Sequence, residues 1–217
     1  MAFQKLQFDL LSKAKMLNRS KSFLARVVLR KSVREFSDKA VPIDLIVNAV
    51  KAAASAPSGA NKQPWHFVIV NDPLVKRDIR MAAEKEEKAF YSHRASEEWL
   101  KDLEPFEISW SKPFLEIAPS LIVVFKKIYD VEAKQRKKNY YVNESVGIAC
   151  GILLTALHNS GLATLTHTPA PMGFLEKVLK RPKGEKAFLL IPVGFPAVNT
   201  KVPILNKKTF NNICDIL

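Results

Sequence analysis

Ser120 to Phe125, SLIVVF, is a near-continuous apolar run. Side chains in a strand alternate between its two faces, so a strand apolar throughout needs cover on both. Phe188 to Val193 makes the same demand, and Pro64 to Val70 reads as a third strand between turn residues. Ala163 to Thr166 is a short fourth. Between the strands lie helical segments. One opens at Pro42, with a buried stripe at Ile43, Ile46, Val47 and Val50, and runs out near Ala56. Others are expected from Asp72-Pro73 to about Tyr91, from Glu97 to Trp110, from Glu144 to Leu157 and from Leu175 to Leu179. Helices alternating with buried strands imply a three-layer body of α+β or α/β class around one sheet, its strand order open. Residues 1–25 show loose helical periodicity at Phe3, Leu6, Leu10 and Leu17. They read as a helical arm on the main body or on a second subunit, leaving 26–217 as the principal domain. From Val202 on, the chain reads as an extended tail.

A chain of 217 residues can bury a core without disulfides or a metal. Its two cysteines, Cys150 and Cys214, exclude a disulfide framework and a zinc site of paired cysteines. No His-x-His or His-x-x-x-His pair occurs, so no metal is expected. The seven glycines form neither a dinucleotide fingerprint nor a phosphate loop of the Walker kind. No apolar run reaches the roughly 18 residues of a membrane span. Lysines interrupt the N-terminal stretch where a signal peptide needs apolar residues. A soluble, cytoplasmic protein without a membrane partner is therefore expected. The net charge of +13 invites an anionic partner. Apart from a run at Lys134 to Lys138 the basic residues are dispersed, with no stripe interleaved by aromatics, so no nucleic acid partner is expected.

Three clusters could carry chemistry. Arg30-Lys31-Ser32-Val33-Arg34 offers donors suited to a phosphate, its two arginines sharing a side if the segment makes a helical turn. An exposed basic turn would look the same. The loop Ala56-Pro57-Ser58-Gly59-Ala60-Asn61-Lys62-Gln63-Pro64-Trp65 holds three residues with special backbone freedom or restriction. It could aim N–H groups and the Ser58 hydroxyl at a planar polar ligand, or simply join a helix to a strand. In Ala83 to Tyr91, AEKEEKAFY, Glu87 and Tyr91 stand at i and i+4 on one helix face. Lys112 could fold back onto them. A carboxylate, a phenol and an ammonium together suit a zwitterion such as an amino acid; a solvated acidic helix is the plainer alternative. Neither cysteine has a histidine neighbour in sequence to support a thiol nucleophile.

Together the segments RKSVREFSDKAVP, APSGANKQPWHFVIVNDPLVKRDI, AAEKEEKAFY, NESVGIACGILLTALHNSGLATLTHTP, LLIPVGFPA and VPILNKK resemble the flavin-dependent nitroreductase superfamily, closest to its iodotyrosine deiodinase branch. The likeness runs from about Arg19 to the C-terminus. It implies an α+β, three-layer FMN enzyme with a mixed, mostly antiparallel sheet flanked by helices. It also implies an intertwined homodimer with two sites at the interface. By position, Arg30, Lys31, Ser32, Val33 and Arg34 would hold the flavin phosphate, ribityl chain and pyrimidine edge. Pro57, Ser58 and Gly59 would meet it from the partner subunit. Thr166, His167 and Thr168 would line the ring edge, with the Thr168 hydroxyl at flavin N5, and Lys207 would reach the phosphate. Glu87, Tyr91 and Lys112 would clamp the zwitterion of a halogenated tyrosine, and the Ala60 N–H would meet its phenolate; Thr168 and Ala60 are the expected catalytic groups. Lys31 and Lys207 stand where arginine is usual in the vertebrate pattern, keeping charge but losing the bidentate fork. Gln63 stands where animal members carry an acid.

The implied activity is reductive dehalogenation of halotyrosines, with electrons from NAD(P)H or a separate reductase. A general NAD(P)H-dependent nitroreductase or quinone reductase of the same fold is the alternative. Two further rivals are the branch that degrades FMN to dimethylbenzimidazole and a basic binding protein without activity.

Overall fold

A computed structural model describes residues 2–217; Met1, the first residue of the expected arm, lies outside them. The chain forms two compact units, divided between Arg30 and Lys31. The first holds α1 (Lys13–Val27), whose N-terminus is capped by the Ser12 hydroxyl accepting from the Lys15 N–H. None of the α1 residues is buried, and Leu17, Phe23 and Leu24 are exposed.

The second unit is built on a four-stranded sheet in the order β1-β2-β6-β5. Its strands are β1 (Trp65–Val70), β2 (Ser120–Lys127), β5 (Ala163–Thr164) and β6 (Glu185–Gly194). All three strand pairings are antiparallel. A single parallel bridge, Ser32 to Thr164, makes the sheet mixed. The class is thus α+β, which settles the choice against α/β.

Alternation along β2 produces the three layers. Ile122 and Val124 enter a cluster with Ile46 and Ala49 of α2 (Ile43–Ala54) and Val146, Ala149 and Leu153 of α6 (Val142–Asn159). Leu121, Val123 and Phe125 enter the opposite cluster, with Ile79 and Ala83 of α3 (Pro73–Ala89), Leu115 of α5 (Phe114–Ile117) and Leu175 of α7 (Gly173–Val178). The apolar run demanded cover on both faces and has it.

Several expectations are corrected. The expected helix from Glu97 to Trp110 stops early: α4 covers Glu97–Leu103 and a 3-10 turn Glu104–Phe106 follows. Pro105 lacks the N–H that would continue the ladder, and Glu107 takes a left-handed φ of 50°. Beyond α3 the helix widens into a π turn over Phe90–Arg94. Ala163 to Thr166 is a strand only at its first two residues. The basic run Lys134 to Lys138 belongs to a hairpin of β3 (Tyr129–Glu132) and β4 (Gln135–Lys138). It was not legible because β4 carries no apolar residue and the turn at Ala133 and Lys134, with φ of 47° and 64°, uses neither glycine nor asparagine. Among the described residues no helix is long and apolar enough to cross a membrane.

Candidate active site

A cavity of about 530 Å³ lies in the second unit, within the usual range for a small-molecule site. Two of the three sequence clusters meet there. Arg34 contributes from the first; Glu87, Tyr91 and Lys112 form one wall, and Thr166, His167 and Thr168 another.

The acidic wall is built by α3 and the chain leading into α5. Asp72 caps α3, accepting from the Leu74 and Val75 N–H groups at 2.8 and 3.2 Å, with Pro73 in the first turn. The far end of α3 carries Glu87, and the π turn carries Tyr91. Lys112 folds back as its spacing allowed: Nζ stands 3.0 Å from Glu87 Oε2 and 5.8 Å from the centre of the Tyr91 ring. Nζ also donates to the Ser109 carbonyl. The lysine side chain is 6% exposed and the glutamate 12%. A desolvated pair of this kind strongly resists losing one partner, since the survivor is left as a buried charge. Burial raises the Tyr91 phenol pKa, helped by the Glu87 carboxylate and opposed by Arg34. Burial lowers the Arg34 guanidinium.

The second wall follows β5. The first cluster is not helical, as one alternative had it. It runs extended beside β5, the Val33 N–H donating to the Thr164 carbonyl at 3.0 Å. Val33 is therefore buried and Ser32 and Arg34 are half-buried, while Lys31 is exposed. His167 exchanges backbone hydrogen bonds with Leu190 at 2.9 and 3.0 Å and stacks edge-on against Phe114. Its Nε2 is buried and has no partner among the described residues. Burial, reinforced by the charges of Lys112 and Arg34, brings its pKa down to about 3 from 6.5. The imidazole is neutral at neutral pH and can present either a donor or an acceptor to a ligand.

That shift has a sign in stability. Between the two pKa values the unfolded chain holds a proton that the folded chain refuses, so stability falls as pH drops through this window. The slope from this residue is at most about 1.4 kcal/mol per pH unit, and above the unfolded value the residue contributes none. Between about pH 6 and pH 4 the ligand-free wild type should lose Tm faster than His167→Phe. Parallel curves would contradict the buried neutral state.

The proline loop, residues 56–65, lines no part of this cavity. Its strain is not where the glycine suggested. Positive φ falls on Ala60 (50°), Asn61 (53°) and Gln63 (47°), and such residues gather at functional sites. Gly59 instead makes room, since a Cβ there would lie 2.8 Å from Tyr141 Cδ2. The Ser58 hydroxyl turns inward, accepting from the Gln63 N–H at 2.9 Å. Ala60 is exposed, and its N–H meets no acceptor among the described residues. Pro57 and Lys207 are exposed away from the cavity lining, and Arg30 belongs to the first unit.

Sequence reasoning missed the apolar part of the cavity. Phe90 stacks edge-on against both Tyr91 and Trp99, at centroid distances of 5.4 and 5.0 Å. Phe114 and Leu165 complete an apolar wall beside His167. The AEKEEKAFY segment contained the signal for Phe90, an aromatic beside Tyr91; Trp99 was hidden in a helix read as unbroken. Cys150 is buried, its thiol pushed up to about 12 by desolvation, which removes it as a nucleophile.

A cationic group, polar side chains along one edge, an apolar wall and an orphaned imidazole nitrogen suit a planar ring with a polar rim. They fit a flavin; of the residues expected to hold it, Arg34, Thr166, His167 and Thr168 line the cavity.

A family model described as the nitroreductase family matches residues 27–195. The chain is 58% identical to an iodotyrosine deiodinase of Haliscomenobacter hydrossis over 89% of this chain and 87% of that protein. It is 44% identical to human iodotyrosine deiodinase 1 over 91% of this chain and 69% of that one. A crystal structure of oxidized iodotyrosine deiodinase bound to FMN and 3-iodo-L-tyrosine superposes with a TM-score of 0.75 at 33% identity, covering 87% of this chain and 96% of that one. With its three-layer body, its cavity and these relatives in agreement, the chain belongs to the nitroreductase family.

Proposed function

We propose that this protein is an FMN-dependent enzyme that reductively removes halide from halotyrosines, 3-iodotyrosine giving tyrosine and iodide. The observation that carries the reading is the Glu87–Lys112 pair, 3.0 Å apart beside Tyr91 on a cavity wall. A general reductase of nitroaromatics has no use for a carboxylate, an ammonium and a phenol so arranged. An amino acid presents the complementary charges. Its ammonium would meet Glu87, and its carboxylate Lys112 and Tyr91. The relatives named as iodotyrosine deiodinases support the same reading.

Reduced FMN, when bound, supplies two electrons for the carbon–halogen bond. Arg34, Thr166, His167 and Thr168 would hold it from one chain, with Thr168 offering its hydroxyl to the ring edge. Arg30, Lys31, Ser32 and Val33 would serve its phosphate, ribityl chain and pyrimidine edge, and Lys207 its phosphate. Pro57, Ser58, Gly59 and Ala60 would come from the second copy of an intertwined homodimer; their position off the cavity of one chain favours that arrangement. The Ala60 N–H would donate to the substrate phenolate, holding the oxygen as an anion. Iodine ortho to the hydroxyl lowers the phenol pKa and favours that form. The ring carbon gains two electrons and a proton, and the halogen leaves as halide. Closure of the Glu87, Tyr91 and Lys112 wall over the amino-acid group would exclude water. NAD(P)H or a separate reductase would supply the electrons.

The purified protein should be yellow, with an FMN spectrum, and 3-iodotyrosine should quench its flavin fluorescence. Bound FMN with no quenching by 3-iodotyrosine would refute the halotyrosine reading and favour the general nitroreductase.

A further inference from the structure

We propose that Glu84, which does not line the cavity, is a positioning residue that sets the Lys112 ammonium for the amino-acid end of the substrate. The inference rests on the halotyrosine reading above.

Glu84 and Glu87 stand at i and i+3 on α3 and therefore face the same side of the helix. Both grip one lysine, at opposite ends. Glu84 Oε1 accepts from the Lys112 backbone N–H at 2.7 Å, and Glu87 Oε2 faces the Lys112 Nζ at 3.0 Å. Among the described residues, no other hydrogen bond joins α3 to the backbone of residues 107–113. Lys112 is followed directly by Pro113, and its carbonyl accepts from the Leu115 N–H at 3.0 Å as α5 begins. The backbone of Lys112 is thus fixed between a helix start and a carboxylate, which sets the direction of its Cα–Cβ bond.

Glu84 is itself held. Arg80 Nε donates to the same Oε1 at 2.8 Å, and Arg80 Nη1 reaches Glu116 Oε2 at 3.3 Å. One turn earlier on α3, the buried Lys76 donates to the Glu116 and Ala118 carbonyls, each at 2.8 Å. Lys76, Arg80 and Glu84 form a row down one side of α3 that locks it to α5. Only Glu84 at its end touches the residue that lines the cavity. Burial pushes the Glu84 carboxyl up, but its bonds from Arg80 and from the Lys112 N–H, with the charges of Arg80 and Lys88, hold it below the usual range. It is a carboxylate at neutral pH.

Removing Glu84 takes away no group that would touch substrate or flavin; it releases the Lys112 backbone N–H and the Arg80 guanidinium. The test compares Kd by flavin quenching for 3-iodotyrosine and for 2-iodophenol, which lacks the amino and carboxyl groups. Glu84→Ala should weaken 3-iodotyrosine about 10-fold, leaving 2-iodophenol and FMN affinity unchanged. Glu84→Gln, which keeps an oxygen for the Lys112 N–H, should recover most of that loss. In a Lys112→Ala background, Glu84→Ala should have no further effect on 3-iodotyrosine. Equal weakening of both ligands, or loss of FMN with both, would overturn the positioning role in favour of plain destabilisation. So would an unchanged ratio. The wild type separates the two levels: if it does not prefer 3-iodotyrosine to 2-iodophenol, the halotyrosine reading falls and this inference with it. If the wild type prefers it and Glu84→Ala keeps the preference, only the inference falls.

Discussion

Glu87→Gln is expected to weaken 3-iodotyrosine binding about 10- to 100-fold, the equivalent of the 1.5–3 kcal/mol of a hydrogen bond to a charged group. FMN should stay bound. The substitution keeps the shape of the side chain and removes its charge, so two effects add. The substrate ammonium loses its counter-ion, and Lys112, 6% exposed, loses the carboxylate 3.0 Å from its Nζ. That lysine would then draw the substrate carboxylate without the balancing acid, and the clamp would discriminate poorly between an amino acid and a simple carboxylic acid. Flavin quenching titrations measure the change directly. Unchanged affinity would remove Glu87 from the clamp.

Phe125→Ala should destabilise the fold by about 3–5 kcal/mol, as expected for emptying a well-packed aromatic site. Phe125 is fully buried in the central strand β2, in the cluster beneath α3, α5 and α7. Its register partner on β6 is Ala187, after a bulge between Val124 and Phe125, so the β6 side offers no large side chain to close the hole. Against the 5–15 kcal/mol of a typical domain, that is a large fraction of the total. Urea unfolding at fixed protein concentration should give a lower midpoint with the slope unchanged. Leu74→Ala, at a residue 69% exposed, should leave the midpoint nearly where it was. A Phe125→Ala midpoint equal to that of Leu74→Ala would contradict the central place given to β2.

The layers were legible because an apolar run such as SLIVVF has one physical solution, cover on both faces, and β2 found it between α2 and α6 on one side and α3, α5 and α7 on the other. Strand direction was not legible in the apolar pattern and followed only from the family resemblance. Burial on both faces is common to parallel strands and to the centre of an antiparallel sheet, and only pairing partners distinguish them. The β3–β4 hairpin escaped because β4, QRKK, carries no apolar residue, and the alternation of Tyr129 and Val131 in β3 spans only four residues. In the site, Glu87, Tyr91 and Lys112 were findable from helical spacing and charge type. The Arg30 to Arg34 segment kept its residues but not its geometry: backbone bonds to β5 overrode any local helical turn. The loop at 56–65 was rightly marked as unusual, yet its positive φ angles fell on Ala60, Asn61 and Gln63 and not on Gly59, which is small because Tyr141 lies against it. Such crowding comes from residues about 80 positions away, and local sequence carries no trace of it.

The central claim is that this site delivers electrons to the carbon–halogen bond of a tyrosine. The most direct measurement is an anaerobic single turnover. The flavoprotein is reduced chemically, mixed with 3-iodotyrosine without oxygen, and followed by flavin absorbance, with the products quantified. The expected result is reoxidation of the flavin with one tyrosine and one iodide formed per flavin, and no reoxidation with tyrosine itself. Flavin that stays reduced in the presence of 3-iodotyrosine, while nitroaromatics reoxidise it, would contradict the account.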